Sequence, residues 1–153
     1  MGAIEERLKS RGIELPPPPS PMGGYVPAVR AGSLVFVSGQ LPRFGDELRY
    51  LGKVDGELSI EDARSAARLA ALNAVSVLLA ELGSLDRVKR VVKLRGSVAS
   101  SPGFVDQPQV VNAASEVMIE VFAEKGKHAR MAVGAAELPA RASVAVELVV
   151  EIE

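Results

Sequence analysis

The sequence predicts an α+β fold: a two-layer sandwich in which two helices cover one face of a mixed, six-stranded sheet. Three observations predict it. Two segments carry apolar residues at helical spacing, several shorter ones are β-branched or alternating, and the two kinds follow one another as ββ, helix, β, helix, ββ. Strand-to-helix-to-strand connections of one hand put both helices on the same side of the sheet. A chain of 153 residues with 48% hydrophobic content suits one domain with a real core.

The elements follow in order. "AIEERLKSRGIEL" places Ile4, Arg7 and Leu8 at helical spacing, with Gly12 as a stop. The prolines of "PPPPSPMGG", Pro16 to Gly24, lock φ and remove amide donors, so this stretch must be extended or turning. Residues 1–22 are therefore read as a helical arm with a proline-rich linker, and residues 23–153 as the folded domain. "YVPAVRA" and "LVFVSGQ" form a hairpin about Gly32 and Ser33, while Pro42 to Leu58 is loop with a short sixth strand near "LGKV". Ser59 and Asp62 open a helix that carries Ala63, Ala67, Ala70, Ala74 and Leu78 on one face and stops at Gly83. In "DRVKRVVKLRGSVAS", Val88, Arg90, Val92 and Leu94 alternate with Lys89, Val91, Lys93 and Arg95, a strand period. After the loop "SSPGFVDQP", Pro108 starts a second helix that buries Val110, Ala114, Val117, Val121 and Phe122 and ends at Gly126. Two strands, His128 to Leu138 and Ala142 to Ile152, meet at "PAR". Strands this apolar on both sides would leave an exposed sheet face, which predicts a homo-oligomer.

Composition excludes several functions. A net charge of -1, from 18 basic and 19 acidic residues, gives no electropositive field for a phosphate backbone, so nucleic acid is not the expected partner. Zero cysteines and one histidine leave no thiolate nucleophile and no multi-histidine metal site. No apolar run approaches the roughly 20 residues of a membrane span, and the first residues are charged rather than signal-like, so no membrane partner is expected and the location is read as cytoplasmic.

The residue that asks for an explanation is Arg130, in "GKHARMAVGAAEL". A guanidinium keeps its charge, so an arginine entering an apolar strand needs a carboxylate, a ligand or solvent. Read without further context, Arg130 and Glu147 form a structural ion pair or solvated charges, and Ser38 bonds its own backbone. Tyr25 packs, Asn112 makes a helix or interface hydrogen bond, and His128 is a solvated loop residue. Gly23 and Gly24 lack the strand, spacing and helix of a phosphate loop.

"GGYVPAVRAGSLVFVSGQLP", "VVNAASEVMIEVF", "HARMAVG" and "VAVELVVEIE", in that order, resemble the Rid (YjgF, L-PSP) family of reactive-intermediate deaminases, in a branch with a longer N-terminus. The resemblance implies a chorismate-mutase-like fold and a homotrimer with clefts between subunits. It also implies metal-free and cofactor-free hydrolysis of enamines and imines such as 2-aminoacrylate to 2-keto acids and ammonia. It puts Arg130 where the family grips the substrate carboxylate and Glu147 where water is oriented or activated. Ser38 and Tyr25 then line the cleft, Gly39 lets backbone approach the ligand, and Asn112 faces a subunit boundary. The chain departs from the family pattern next to Arg130, where His128 and Ala129 stand for the usual proline and alanine and Ala132 for a common cysteine. Two other functions accompany the resemblance: a non-catalytic trimeric binder of small carboxylates, and the endoribonuclease or translation inhibitor for which family members are often labelled.

Overall fold

The computed structural model describes residues 2–21 and 23–153. Met1 and Met22, the two ends of the predicted arm and linker, lie outside the described residues. Helix α1 spans Ala3–Ser10 and a hairpin follows from β1, Ala28–Ala31, to β2, Leu34–Gln40. A two-residue ribbon, β3 (Arg43–Phe44) with β4 (Glu47–Leu48), precedes α2, Ile60–Leu82. Then come β5, Val88–Ala99, α3, Gln107–Phe122, β6, Ala129–Ala135, and β7, Val144–Ile152.

The main sheet has five strands in the order β1-β2-β7-β5-β6, so the expected sixth strand is absent from it. "LGKV" contributes only single bridges, Leu51 to Ala142 and Val54 to Leu58 and Ser100, because Gly52 and Asp55 turn the backbone to positive φ on either side of Val54. The ribbon β3–β4 forms apart from the sheet about Gly45. The last two strands do not pair with each other: β5 lies between them, parallel to β6 and antiparallel to β7.

Helix α2 forms where the sequence places it. Ser59 Oγ accepts the Asp62 N–H at 3.1 Å, and Gly83 ends the helix in the left-handed region at φ 79°, its N–H donating to Leu79 O. Ala63, Ala66, Ala67, Ala70, Ala71 and Ala74 are fully buried, and side chains this small let α2 lie close on the sheet beside α3. This helix is 23 residues long and apolar enough, by length and composition, to cross a membrane, which corrects the expectation that no run approaches that length. Most of it lies inside the chain's own core.

Strand β5 departs from the simple alternation. Val88, Val91 and Leu94 are buried while Arg90 and Val92 are exposed, because the register with β7 shifts between Val88 and Arg90 and again between Val91 and Lys93. Two bulges turn the side chains, and the two-residue period holds only from Leu94 onward. On the face away from α2 and α3, Val29, Phe36 and Met131 are 52%, 45% and 47% exposed.

Within the chain the N-terminal arm packs on α3 and on the turn Leu85–Arg87, with Leu8 buried. Asp86 supplies the missing cap, its Oδ2 accepting from Ala3 N and its Oδ1 from Ile4 N at 2.8 and 2.9 Å, while Glu5 Oε1 accepts from Leu85 N at 2.7 Å. The linker is fastened in turn by Ser76 Oγ, which donates to Pro16 O at 2.7 Å. The amides of Ile4 and then Ala3 hold the Asp86 carboxyl below the ordinary aspartate value of 3.8. A depressed folded value means that the carboxylate's hold on the arm is complete above the ordinary one and is lost as pH falls through the lower one. Protection of the Ala3–Ser10 amides, relative to the intrinsic exchange rate at each pH, is therefore expected to hold from pH 8 to pH 5 and to fall in stronger acid, and Asp86→Asn to lower it between pH 8 and pH 5. Equal protection in Asp86→Asn would show that packing alone holds the helix.

Candidate functional site

Strand β6 is the sheet edge, and its register fixes which way Arg130 faces. Arg130 lies opposite Leu94, a core residue on the helix side, so its side chain rises toward α3, while its neighbour Met131 lies opposite the exposed Arg95 on the other face. On α3, Asn112 and Ser115 are three residues apart and so share a helix face. Arg130 Nη1 donates to Asn112 Oδ1 at 2.5 Å and approaches Ser115 Oγ at 3.4 Å. These residues, with Ile119, Lys127 and His128, line an open hollow of about 700 Å³.

Two carboxylates, Glu116 and Glu120, also line this hollow, yet neither takes the Arg130 charge. Arg64 Nη2 lies 3.1 Å from both oxygens of Glu116, and Arg68 makes two parallel bonds of 3.2 Å to Glu120. Among the described residues Arg130 has no carboxylate partner. The structural ion pair between Arg130 and Glu147 does not form, and among the described residues only Nη1 of the guanidinium makes hydrogen bonds. Its planar edge suits a carboxylate, which can take two parallel charge-assisted hydrogen bonds.

His128 is not the solvated loop residue expected of it. It is half-buried, with Nδ1 2.6 Å from Gly126 O and Nε2 2.9 Å from Ser115 Oγ. A carbonyl can only accept, so Nδ1 carries the proton and, in the neutral ring, Nε2 accepts from the Ser115 hydroxyl. Sequence reasoning missed Ser115 and set His128 aside. The signals were present: His128 and Arg130 are two apart at a strand entrance, and Asn112 and Ser115 three apart on a helix.

The other predicted residues gather elsewhere. Val37 is opposite Leu148 and Gln40 opposite Val146, so Ser38 and Gly39 both oppose Glu147 in a β-bulge. Glu147 is exposed on the sheet face away from α2 and α3, between the core residues Val146 and Leu148. Ser38 Oγ donates to Val26 O at 2.9 Å, so its hydroxyl proton is committed to backbone. A Cβ added at Gly39 would meet only Glu147 Cγ, at 3.9 Å, so nothing within the chain demands glycine there. Tyr25, about half exposed, lines a small cleft of about 40 Å³ with Gly39, Gln40 and the linker. The chain thus unites Arg130 with Asn112 on one side of the sheet and sets Ser38 and Gly39 against Glu147 in the β2–β7 pair, with Tyr25 sharing a cleft with Gly39.

The family model described as "YjgF/chorismate_mutase-like, putative endoribonuclease" matches residues 5–152. Protein TCP17 of Trypanosoma cruzi is 44% identical over 152 residues, which are 99% of this chain and 95% of that one. The 2-iminobutanoate/2-iminopropanoate deaminase of Dermatophagoides farinae is 35% identical over 143 residues, 94% of this chain and 97% of its own. A Shewanella oneidensis protein crystallised under the same endoribonuclease description superposes with a TM-score of 0.95 at 31% identity, covering 99% of this chain and all (100%) of the other.

Proposed function

The chain belongs to the YjgF/chorismate mutase-like family, and from that premise we propose that it hydrolyses small enamines and imines bearing a carboxylate, of the 2-aminoacrylate type, to 2-keto acids and ammonia. The observation that carries the proposal is Arg130, an exposed guanidinium braced on one nitrogen by Asn112 and unclaimed by the two carboxylates that share its hollow. The name of the Dermatophagoides farinae relative supports it. A protonated imine is already electrophilic, so the protein needs only to hold the substrate, place a water and move protons. Arg130 fixes the carboxylate and with it the position of the imine carbon, without metal or cofactor.

Glu147 is on the opposite sheet face, Ser38 and Gly39 oppose it and Tyr25 shares a cleft with Gly39, so in this proposal all four reach the hollow from a neighbouring copy of the chain. Glu147 then orients the attacking water, and a cytoplasmic homotrimer forms three composite clefts. The exposed Val29, Phe36 and Met131 support the burial of that face between copies. A coupled assay with a serine dehydratase releasing 2-aminoacrylate tests the reading. Faster pyruvate release is expected, and an unchanged rate would contradict turnover.

One observation favours a second reading, a binder of small carboxylates without chemistry: within a chain the cation and Glu147 are on opposite faces of the sheet. Calorimetry showing keto-acid binding that depends on Arg130, with no imine turned over, would select it. For RNA cleavage the features are poor, since one histidine and a net charge of -1 offer neither a paired acid and base nor a basic groove.

A further inference from the structure

Hydrolysis of an imine moves a proton from water to nitrogen, and within one chain the group beside Arg130 able to do so is not Glu147. We infer that His128 and Ser115 form a proton relay that serves the substrate held by Arg130. The inference rests on the imine-hydrolysis reading and adds the chain's own acid and base to it. Three features of the geometry support it. The Nδ1–H of His128 is fixed on Gly126 O at 2.6 Å, which turns the lone pair of Nε2 toward Ser115 Oγ at 2.9 Å. A hydroxyl within reach of a base, with the base oriented by a third group, is the usual arrangement of an activated hydroxyl. Ser115 Oγ lies 3.4 Å from Arg130 Nη1, so the relay and the carboxylate grip share one hollow.

The step balances as follows. Water oxygen bonds to the carbon of the protonated imine, and the C=N π pair goes to nitrogen. One water proton passes to Ser115 Oγ as the serine proton passes to His128 Nε2. Reversal of the relay puts that proton on the amine. The C–N bond then breaks with its electron pair leaving on ammonia, the O–H pair becomes the second bond of the carbonyl, and the hydroxyl proton leaves with the ammonia as ammonium. Imidazole suits this because it both accepts and donates protons near neutral pH. The charged groups facing the ring are Arg130, Lys127 and the arginine-held Glu116 and Glu120.

The test compares His128→Gln, His128→Ala, Ser115→Ala and Arg130→Ala in the 2-aminoacrylate assay across pH 5.5–9, with thermal melts to show that each is folded. The relay predicts that His128→Gln lowers kcat by about 10²-fold or more with KM little changed and flattens the pH profile. It also predicts that Ser115→Ala lowers kcat in the same way and that added imidazole restores part of the rate of His128→Ala. A folded His128→Gln or Ser115→Ala protein with wild-type kcat and pH profile, alongside an Arg130→Ala protein of lowered kcat/KM, would overturn the relay and leave the function standing. Wild-type rates in Arg130→Ala would remove both.

Discussion

Arg130→Ala is expected to lower kcat/KM on 2-aminoacrylate by about 10²- to 10³-fold, mainly through KM, while the melting temperature stays near that of the wild type. The side chain is exposed and makes no ion pair, so its removal leaves no buried carboxylate uncompensated. What is lost is a charge-assisted pair of hydrogen bonds to the ligand, roughly 3–4 kcal/mol when both are made in a partly enclosed site. Arg130→Lys should recover little, because an ammonium cannot reproduce the two-pronged edge that Asn112 holds in plane. Steady-state kinetics on both variants checks this. A wild-type KM in Arg130→Ala would mean that the guanidinium does not touch substrate.

The second large effect concerns Gly126, which closes the turn between α3 and β6. A Cβ at this position would lie 2.1 Å from Met118 O, 2.6 Å from Met118 C and 3.0 Å from Ile119 N, so the obstacle is main chain and no side-chain rotation relieves it. Gly126→Ala must displace either the last turns of α3 or the start of β6, at a cost of about 3 kcal/mol or more. For a chain of 153 residues that corresponds to a fall in melting temperature of roughly 6–12 °C. The same displacement moves the carbonyl that orients His128, so kcat should fall in whatever fraction remains folded. A melting temperature within about 2 °C of wild type would show that the turn yields easily and that the ring does not depend on it.

Local signals gave the elements their places, and non-local pairing decided what sequence could not. The cap at Ser59, the alanine face and Gly83 are adjacent choices that agree with one another, so α2 was legible from end to end. The ribbon β3–β4 was read as loop, because two strands of two residues about Gly45 and Asp46 are too short to show a period. The placing of β5 between β6 and β7 was not, because it depends on which edges meet across the chain rather than on any window of residues. In β5 the two bulges replaced alternation with a spacing of three, which single-strand periodicity cannot anticipate.

The candidate site divides in the same way. Arg130 stood out because a charge in an apolar strand demands a reason, and the structure gives the carboxylates of its hollow to other arginines. Asn112 was placed at a subunit boundary, and within the chain it braces Arg130 from α3. His128 was read as solvated because its two tethers, a carbonyl at a turn and a hydroxyl thirteen residues earlier on a helix, become neighbours only once β6 folds beside α3. The separation of Glu147 from Arg130 followed from register, which no count of residues along either strand could supply.

A crystal structure of the protein soaked with 2-oxobutanoate tests the central claim most directly. The account predicts the acid's carboxylate within hydrogen-bonding distance of Arg130 Nε and Nη2, beside Ser115 and His128, with Glu147 of a neighbouring copy facing the keto carbon. Arg130 turned onto Glu116 or Glu120, with the acid bound elsewhere, would contradict it.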